Sequence, residues 1–210
     1  MIENRFLTTR DERCERILPH AWWSRPFEYQ FCLKQIRQND IILDAGCGIE
    51  HPFKLEAARL CKKVIAIDKD PRLIETKKAN TNVMNTKKNE NDNIEYKLGN
   101  IIDSSKIISE KVDKVFCISV LEHMPVEDVI KSLNDFSNCL KEKGTIILTV
   151  DYPTLTPAYL MKVADSIGLE IVGKYDYEIK NNLITDGTLN VFTMILKLAK
   201  IKMVEVSKEN

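Results

Sequence analysis

Two carboxylates and two glycines at fixed spacing form the first candidate binding site of the chain. The run Asp44-Ala45-Gly46-Cys47-Gly48 overlaps the end of an apolar segment and precedes a helical pattern. Glycines at such a turn let backbone N–H groups and a helix N-terminus approach a ligand closely. Asp68 ends the next apolar segment, where a carboxylate can accept hydrogen bonds from both hydroxyls of a ribose. The pair predicts a cofactor that contains adenosine.

Two alternatives apply to this interpretation. Asp68 could cap the following helix instead of binding a ribose, although Asp70 is the better-placed cap. A dinucleotide such as NAD would require the pattern GxGxxG, and the third glycine position holds His51. The spacing therefore disfavours NAD without removing it as an alternative.

Seven segments predict the strands that position these residues. Continuous apolar runs are typical of strands buried on both faces, whereas Asn93–Leu98 alternates and suits an edge. The continuous runs are Ile41–Ala45, Lys63–Ile67, Asp113–Ser119 and Thr145–Val150. The last two segments, Leu169–Tyr175 and Leu189–Leu198, are joined by a loop too short for a crossover helix, so they should pair antiparallel.

Helical patterns alternate with these strands. The clearest places six apolar residues on one face at spacings of three and four, which predicts a buried helix face. These residues are Val126, Val129, Ile130, Leu133, Phe136 and Leu140. Alternation of strands and helices predicts a three-layer α/β fold with a doubly wound, mostly parallel seven-stranded sheet whose last strand is antiparallel.

These motifs resemble those of class I S-adenosylmethionine-dependent methyltransferases. Besides the glycine turn and Asp68, the resemblance covers Gly99-Asn100-Ile101, the stretch Asp113–Met124 and the turn Leu140–Thr145, in the family's order. It extends over about Asp40–Leu198. The chain departs from the pattern at Glu50, where a glycine or small residue is frequent, and at Asn100, where an Asp is usual.

The resemblance implies S-adenosylmethionine as the cofactor and assigns residues to its parts. The glycine turn would line the methionine portion, Asp68 with Lys69 the ribose, Asn100 with Ile101 the adenine, and Ser119 the methionine chain. The predicted cofactor-binding residues are Asp44, Gly46, Cys47, Gly48, Asp68, Lys69, Asn100, Ile101 and Ser119.

Two further residues are candidates for catalysis. Methyl transfer needs a base only when the nucleophile arrives protonated, and His123 is the first candidate because imidazole titrates near neutral pH. Glu122 is the second. A structural histidine at the turn between strand and helix is the alternative for His123.

The N-terminal segment is predicted to be a helical extension, residues 1–39, before a Rossmann-like domain, residues 40–200, and a tail, residues 201–210. Its aromatic cluster, Trp22–Tyr29, has two interpretations. It could form a lid over the cofactor and acceptor, with Arg25 meeting an anionic group, or a helix packed on the sheet through its rings.

The composition of the chain argues against several classes of binding partner. The chain has 31 basic and 31 acidic residues, a balance that argues against a domain that grips nucleic acid. No apolar run approaches the length of a membrane span, and the charged N-terminus is unlike a secretory signal. Six cysteines without a CxxC pair predict reduced, buried thiols in a cytoplasmic protein, and no cluster has the spacing of a metal site.

We therefore expect a cytoplasmic S-adenosylmethionine-dependent methyltransferase that acts on a small-molecule or glycan-type acceptor, with no nucleic acid or membrane partner. Two other classes stay open. One is an oxidoreductase that uses NAD, and the other is a binding protein of the same fold that has lost catalysis. Glu50 and Asn100 are the features that would fit the second.

Overall fold

A seven-stranded sheet organises the chain in the computed structural model, which describes residues 3–15, 23–75 and 93–199. The strands are β1 (Asn4–Arg5), β2 (Ile41–Ala45), β3 (Lys63–Asp68), β4 (Ile94–Leu98), β5 (Val112–Ile118), β6 (Leu140–Tyr152), β7 (Leu169–Ile171), β8 (Tyr175–Asp176) and β9 (Asn190–Leu198). The labelled helices are α1 (Arg25–Leu33), α2 (Phe53–Ala58), α3 (Ser104–Ile107), α4 (Val126–Cys139) and α5 (Pro157–Ser166).

The order of strands in the sheet is β4-β3-β2-β5-β6-β9-β7. Strands β2 to β6 pair in parallel, and β9 runs antiparallel between β6 and β7. The predicted fold class is thus confirmed, including the reversed last strand. Strand order reverses between β2 and β5, and ligands of open α/β sheets bind in the crevice beyond the carboxyl ends of the strands at such a point.

Helices cover both faces of the sheet because successive side chains in each central strand point to opposite faces. Leu43 and Val115 belong to one buried cluster, which includes residues of α4 and α5. Ile42 and Phe116 belong to the other, which includes residues of α1 and α2. The continuous apolar runs of the sequence therefore reflect burial on both sides.

The buried face of α4 differs from the prediction. Val129, Leu133 and Phe136 are fully buried, but Val126 and Ile130 are 50% and 39% exposed. The helix is rotated toward α3, because the backbone N–H and the hydroxyl of Ser105 donate to Asp135 at 2.8 and 2.5 Å. Those polar contacts turn the Asp135 side of the helix inward and leave Val126 and Ile130 beside the buried stripe.

Two predicted strands differ from the structure by more than one residue at an end. The strand expected at Thr145–Val150 extends over all of β6 and includes the predicted turn at Leu140–Thr145, with an irregular register in which Val112 pairs with Leu140 and Lys114 with Thr145. The strand expected at Leu169–Tyr175 is divided, and its last residue begins β8, which pairs in parallel with β1.

The N-terminal segment is only partly helical, which corrects the prediction for residues 1–39. Only α1 is an α-helix within its described residues, and Asn4–Arg5 form a strand. The buried Asn4 side chain accepts a hydrogen bond from Ile195 N at 2.6 Å and donates to Val172 O at 2.7 Å, so the segment is held along β9. Phe6 belongs to the same buried cluster as the α4 residues.

Some predictions fall partly outside the described residues. Trp22, from the predicted aromatic cluster, and the predicted tail, residues 201–210, lie outside them. All six cysteines are described, and each is buried with a free thiol. No helix in the described ranges is both long and apolar enough to span a membrane.

Candidate functional site

A cavity of about 550 Å3 lies at the carboxyl ends of the parallel strands, within the usual range for small-ligand sites. All nine residues predicted to contact the cofactor line it: Asp44, Gly46, Cys47, Gly48, Asp68, Lys69, Asn100, Ile101 and Ser119. His123 also lines it, whereas Glu122 is not among the lining residues. The fold thus brings the motifs of four strand ends to one place.

The glycine turn after β2 has no room for side chains. Gly46 and Gly48 have φ values of +76° and +58°, in the left-handed region that glycine adopts without strain. A Cβ atom at Gly46 would lie 2.8 Å from a methyl carbon of Val120. The turn is fixed to the neighbouring strand because Gly46 N and Cys47 N both donate to Ile67 O, at 2.9 and 3.0 Å.

Lys54, which the sequence analysis did not single out, binds the backbone of the same turn from the protein interior. Its side chain is fully buried, and Nζ lies within hydrogen-bond distance of the carbonyl oxygens of Cys47, Gly48, Ile49 and His51, at 2.6 to 3.3 Å. A lysine at the start of a helix gives no sequence signal of such a role. Its charge also acts on the nearby Asp44 carboxylate.

Asp44 presents a buried carboxylate without a complete set of partners. The residue is 3% exposed, it lines the cavity, and Oδ2 has no hydrogen-bond partner among the described residues. Burial raises the pKa of Asp44 to about 7, the Lys54 ammonium opposes that rise and the Asp68 charge adds to it. A ligand that carries an ammonium group would satisfy this oxygen.

Asp68 and Asp70 have different hydrogen-bond partners. Asp68 accepts hydrogen bonds from Gly48 N at 2.8 Å and from Asp70 N at 3.0 Å, and it lines the cavity. Asp70 accepts from Arg72 N at 2.9 Å, as the cap of the helical turn that follows. The alternative in which Asp68 caps this helix is therefore wrong.

Asn100 and Ile101 line the cavity beyond β4. Asn100 Oδ1 accepts a hydrogen bond from Ile102 N at 3.3 Å and thereby caps a short 3-10 helix. An amide oxygen has two lone pairs, so the adenine contact predicted for Asn100 stays compatible with this bond. Ile101 is 5% exposed and offers an apolar wall.

Ser119 belongs to a buried polar network that the sequence analysis missed. Its hydroxyl donates to Glu28 Oε2 at 2.7 Å, and Thr149 donates to the same oxygen. Arg25 donates to Glu28 Oε1 at 2.7 Å. Burial alone would raise the pKa of Glu28, but the Arg25 guanidinium and the hydroxyl donors hold it below its ordinary value.

This network ties α1 to the ends of β5 and β6. Ser119 has φ +45°, an uncommon conformation for a residue other than glycine that costs free energy and is found at functional sites. The i,i+3 spacing of Arg25 and Glu28 was the one available signal in the sequence. Because Glu28 balances the charge of Arg25, the anion contact predicted for Arg25 has a competing partner within the protein.

The two candidate bases, His123 and Glu122, lie in different surroundings. His123 is exposed at the mouth of the cavity. Glu122 is buried, accepts a hydrogen bond from Asp151 N at 3.0 Å, and has a pKa that burial raises to about 8. His51, the residue at the third glycine position, lines the cavity, and its Nδ1 lies 3.1 Å from the Tyr29 hydroxyl.

The cavity fits S-adenosylmethionine on the evidence of its own residues. The orphaned Asp44 oxygen suits the ligand's α-ammonium, and the Asp68 carboxylate lines the cavity, where it can accept from ribose hydroxyls. Among the described residues, no group of three or more His, Cys, Asp and Glu is arranged to hold a metal ion.

Comparison with known proteins gives the methyltransferase family that the sequence motifs resemble. A family model described as a methyltransferase domain matches residues 43–148, half of the chain. A probable methyltransferase of Aspergillus luteorubrus is 30% identical over 123 residues, which cover 57% of this chain and 42% of that protein. The match thus spans less than half the length of that relative.

Solved structures share the fold. An S-adenosylmethionine-dependent methyltransferase from Clostridium acetobutylicum aligns with TM-score 0.61 and 16% identity, over 85% of this chain and 91% of that one. Magnesium protoporphyrin IX methyltransferase from Synechocystis, solved with bound S-adenosylmethionine, aligns with TM-score 0.62 and 13% identity, over 89% and 86%. With its cofactor motifs gathered at one cavity and its family match over the core strands, the chain belongs to the class I S-adenosylmethionine-dependent methyltransferases.

Proposed function

We propose that the chain transfers a methyl group from S-adenosylmethionine to a small-molecule or glycan-type acceptor. The observation that carries this proposal is the shared cavity, in which the carboxylates of Asp44 and Asp68 and the glycine turn adjoin a second region at the ends of β5 and β6. One region suits the cofactor, and the other leaves space for an acceptor next to it. The balanced charge of the chain favours a small acceptor over a nucleic acid.

When bound, S-adenosylmethionine supplies a methyl group on a positively charged sulfur. The protein's contribution is mainly position and exclusion of water. Asp44 and Asp68 would hold the two polar ends of the cofactor, and Ser119, fixed by Glu28, would form the floor between cofactor and acceptor. Trp23 and Tyr29 line the same cavity and would cover it, while His123, exposed at its mouth, would be the candidate base for an acceptor that reacts there.

Calorimetry with S-adenosylmethionine, S-adenosylhomocysteine and NAD tests the cofactor. We expect dissociation constants for the first two in the micromolar range, roughly −7 to −8 kcal/mol, and none measurable for NAD. Binding of NAD alone would support the oxidoreductase alternative. Absence of all binding at millimolar ligand would overturn the proposal.

Transfer of a radiolabelled methyl group to small molecules, glycans and lysate fractions tests the activity. A labelled acceptor would support the enzyme. Tight binding of cofactor with no transfer to any fraction would instead favour the alternative of a binding protein that has lost catalysis, for which Glu50 and Asn100 are the candidate changes.

A further inference from the structure

The cavity has two halves, one at the ends of β2 and β3 and the other at the end of β6. Asp44 and Asp68 lie at the ends of β2 and β3, and Asp151 lies near the end of β6, two strands from β2 on the other side. Two strand spacings separate β2 from β6 by about 10 Å. A ligand group at Asp151 is therefore distinct from the cofactor ammonium expected at Asp44.

Asp151 presents an unsatisfied carboxylate to the half that faces the acceptor. The residue lines the cavity, and its Oδ1 is buried without a hydrogen-bond partner in the described ranges. Its backbone N–H donates to Glu122, so the main chain at this position is fixed. A buried carboxylate oxygen that lacks a donor is costly, and a ligand with N–H groups would remove that cost.

The charges around this half disfavour an anionic acceptor. Asp186 also lines it, and the guanidinium of Arg25 is already paired with Glu28 at 2.7 Å. His123 is exposed at the mouth. Burial and the Glu28 and Asp186 charges raise the pKa of Asp151, against the opposing charges of Arg25 and His123, which indicates that this carboxylate is short of positive partners.

We propose that the methyl acceptor is an amine whose nitrogen is held by the Asp151 carboxylate, next to the indole of Trp23. The proposal rests on the proposed methyltransferase function and adds the substrate class. Trp23 lines the same cavity, and an indole ring attracts cations. The bound ammonium first passes one proton to the Asp151 carboxylate, which frees the lone pair on nitrogen. That lone pair forms the new C–N bond, the electron pair of the broken S–C bond stays on sulfur, and the positive charge passes from sulfur to the methylated nitrogen.

Matched compounds test this proposal by binding, independently of turnover. A panel of arylalkyl and alkyl amines, each with the alcohol and the carboxylic acid of the same skeleton, is titrated into protein saturated with S-adenosylhomocysteine. We expect at least one amine to bind about tenfold or more tightly than its alcohol and its acid. If no amine in the panel binds more tightly than its matched acid, the proposal is wrong.

Variants test whether Asp151 is the residue responsible for the preference for amines. Asp151→Asn should remove the preference for the amine over its alcohol and leave the affinity for S-adenosylhomocysteine unchanged, which also shows that the variant is folded. Asp165→Asn, an exposed carboxylate on α5 outside the cavity, is the control and should retain the preference. Retention of the preference in Asp151→Asn would contradict the assignment of the amine to this residue.

Failure of the proposed function has a different signature. If the wild-type protein does not bind S-adenosylhomocysteine, the methyltransferase proposal fails before any acceptor is added. If S-adenosylhomocysteine binds and the acids are preferred to the amines, the methyltransferase proposal stands and only the amine proposal is overturned.

Discussion

Asp68 and Asp70 are two carboxylates two residues apart with different partners, so variants of each can test the ligand binding predicted for Asp68 apart from helix capping by Asp70. Asp68→Ala should weaken S-adenosylhomocysteine binding about ten- to a hundredfold, since a charge-assisted hydrogen bond contributes ~1.5–3 kcal/mol. Part of this loss would come through the glycine turn, because Gly48 N donates to Asp68. Calorimetry measures the affinity of each variant.

Asp70→Ala is the matched control for that prediction. Asp70 accepts from Arg72 N and pairs with its guanidinium at the protein surface, so its loss should lower the melting temperature slightly and leave the affinity unchanged. The reverse ranking of the two variants would mean that the ribose carboxylate is assigned to the wrong residue.

We expect Asp44 to make the affinity for the cofactor depend on pH. Its pKa of about 7 in the free protein means that the carboxylate is protonated below neutral pH, whereas a bound ammonium requires the charged form. Binding should therefore be tightest above pH 7 and weaken by up to about tenfold for each pH unit below it. Titrations of S-adenosylhomocysteine between pH 6 and 8 measure the slope.

The Asp44→Asn variant isolates this effect from other groups in the cavity, such as His51, whose pKa is lowered by burial. The variant should bind more weakly at pH 8 and show a flatter profile. A slope that is the same in Asp44→Asn and in the wild type would assign the pH dependence to another residue.

At the scale of elements, the start of α2 is fastened to the glycine turn by one lysine. Lys54→Met keeps the apolar stem but removes the ammonium from four carbonyl groups. Unsatisfied buried acceptors should lower the free energy of unfolding by about 1–3 kcal/mol and weaken S-adenosylhomocysteine binding. Denaturant unfolding measures the stability, and calorimetry measures the affinity for S-adenosylhomocysteine. Lys62→Met, at an exposed position, is the control for both. If the affinity of Lys54→Met is unchanged, Lys54 contributes to stability but not to cofactor binding.

Helix α1 depends on the buried pair Arg25 and Glu28. Glu28→Gln would leave the guanidinium without its balancing charge, and loss of one partner of a buried ion pair costs about 3–5 kcal/mol of stability. The double variant Arg25→Met, Glu28→Gln should recover part of this loss. Urea unfolding of the set measures the coupling, and equal stability of the single and double variants would exclude it.

Asp68 could be predicted from the sequence as a site residue, whereas Glu28 could not. Asp68, the glycine turn and their strands are recognisable because each depends on neighbours in the chain and on the end of a buried strand. Glu28 binds Ser119 and Thr149, which are 91 and 121 residues away, and Lys54 binds carbonyl groups that have no side-chain signature. Such contacts exist only after the sheet has formed.

The rotation of α4 has the same origin. Periodicity identified the helix and its buried core positions, but the Ser105–Asp135 contact that exposes Val126 and Ile130 joins residues 30 positions apart. The strand at Asn4–Arg5 was missed because two residues are too few for periodicity. Their pairing partner, β8, lies at the other end of the chain.

At the scale of the whole molecule, Trp23 joins the N-terminal segment to both the cavity and the fold. It lines the cavity and packs against the buried cluster of Leu7, Ile184 and Val191. Because this ring forms part of the cavity wall, filling the cavity should change its surroundings. The second interpretation of the aromatic segment, packing alone, predicts no such response to ligand.

Tryptophan fluorescence tests whether the segment responds when the cavity fills. The chain has two tryptophans, so Trp22→Phe leaves Trp23 as the only one. We expect its emission to change when S-adenosylhomocysteine binds and to change again when an acceptor is added, because the indole passes from a half-buried to a more enclosed environment. The Trp23→Phe variant is the control for Trp22. If Trp23 emission is the same with the cavity empty and saturated, the segment serves packing and does not close over the ligands.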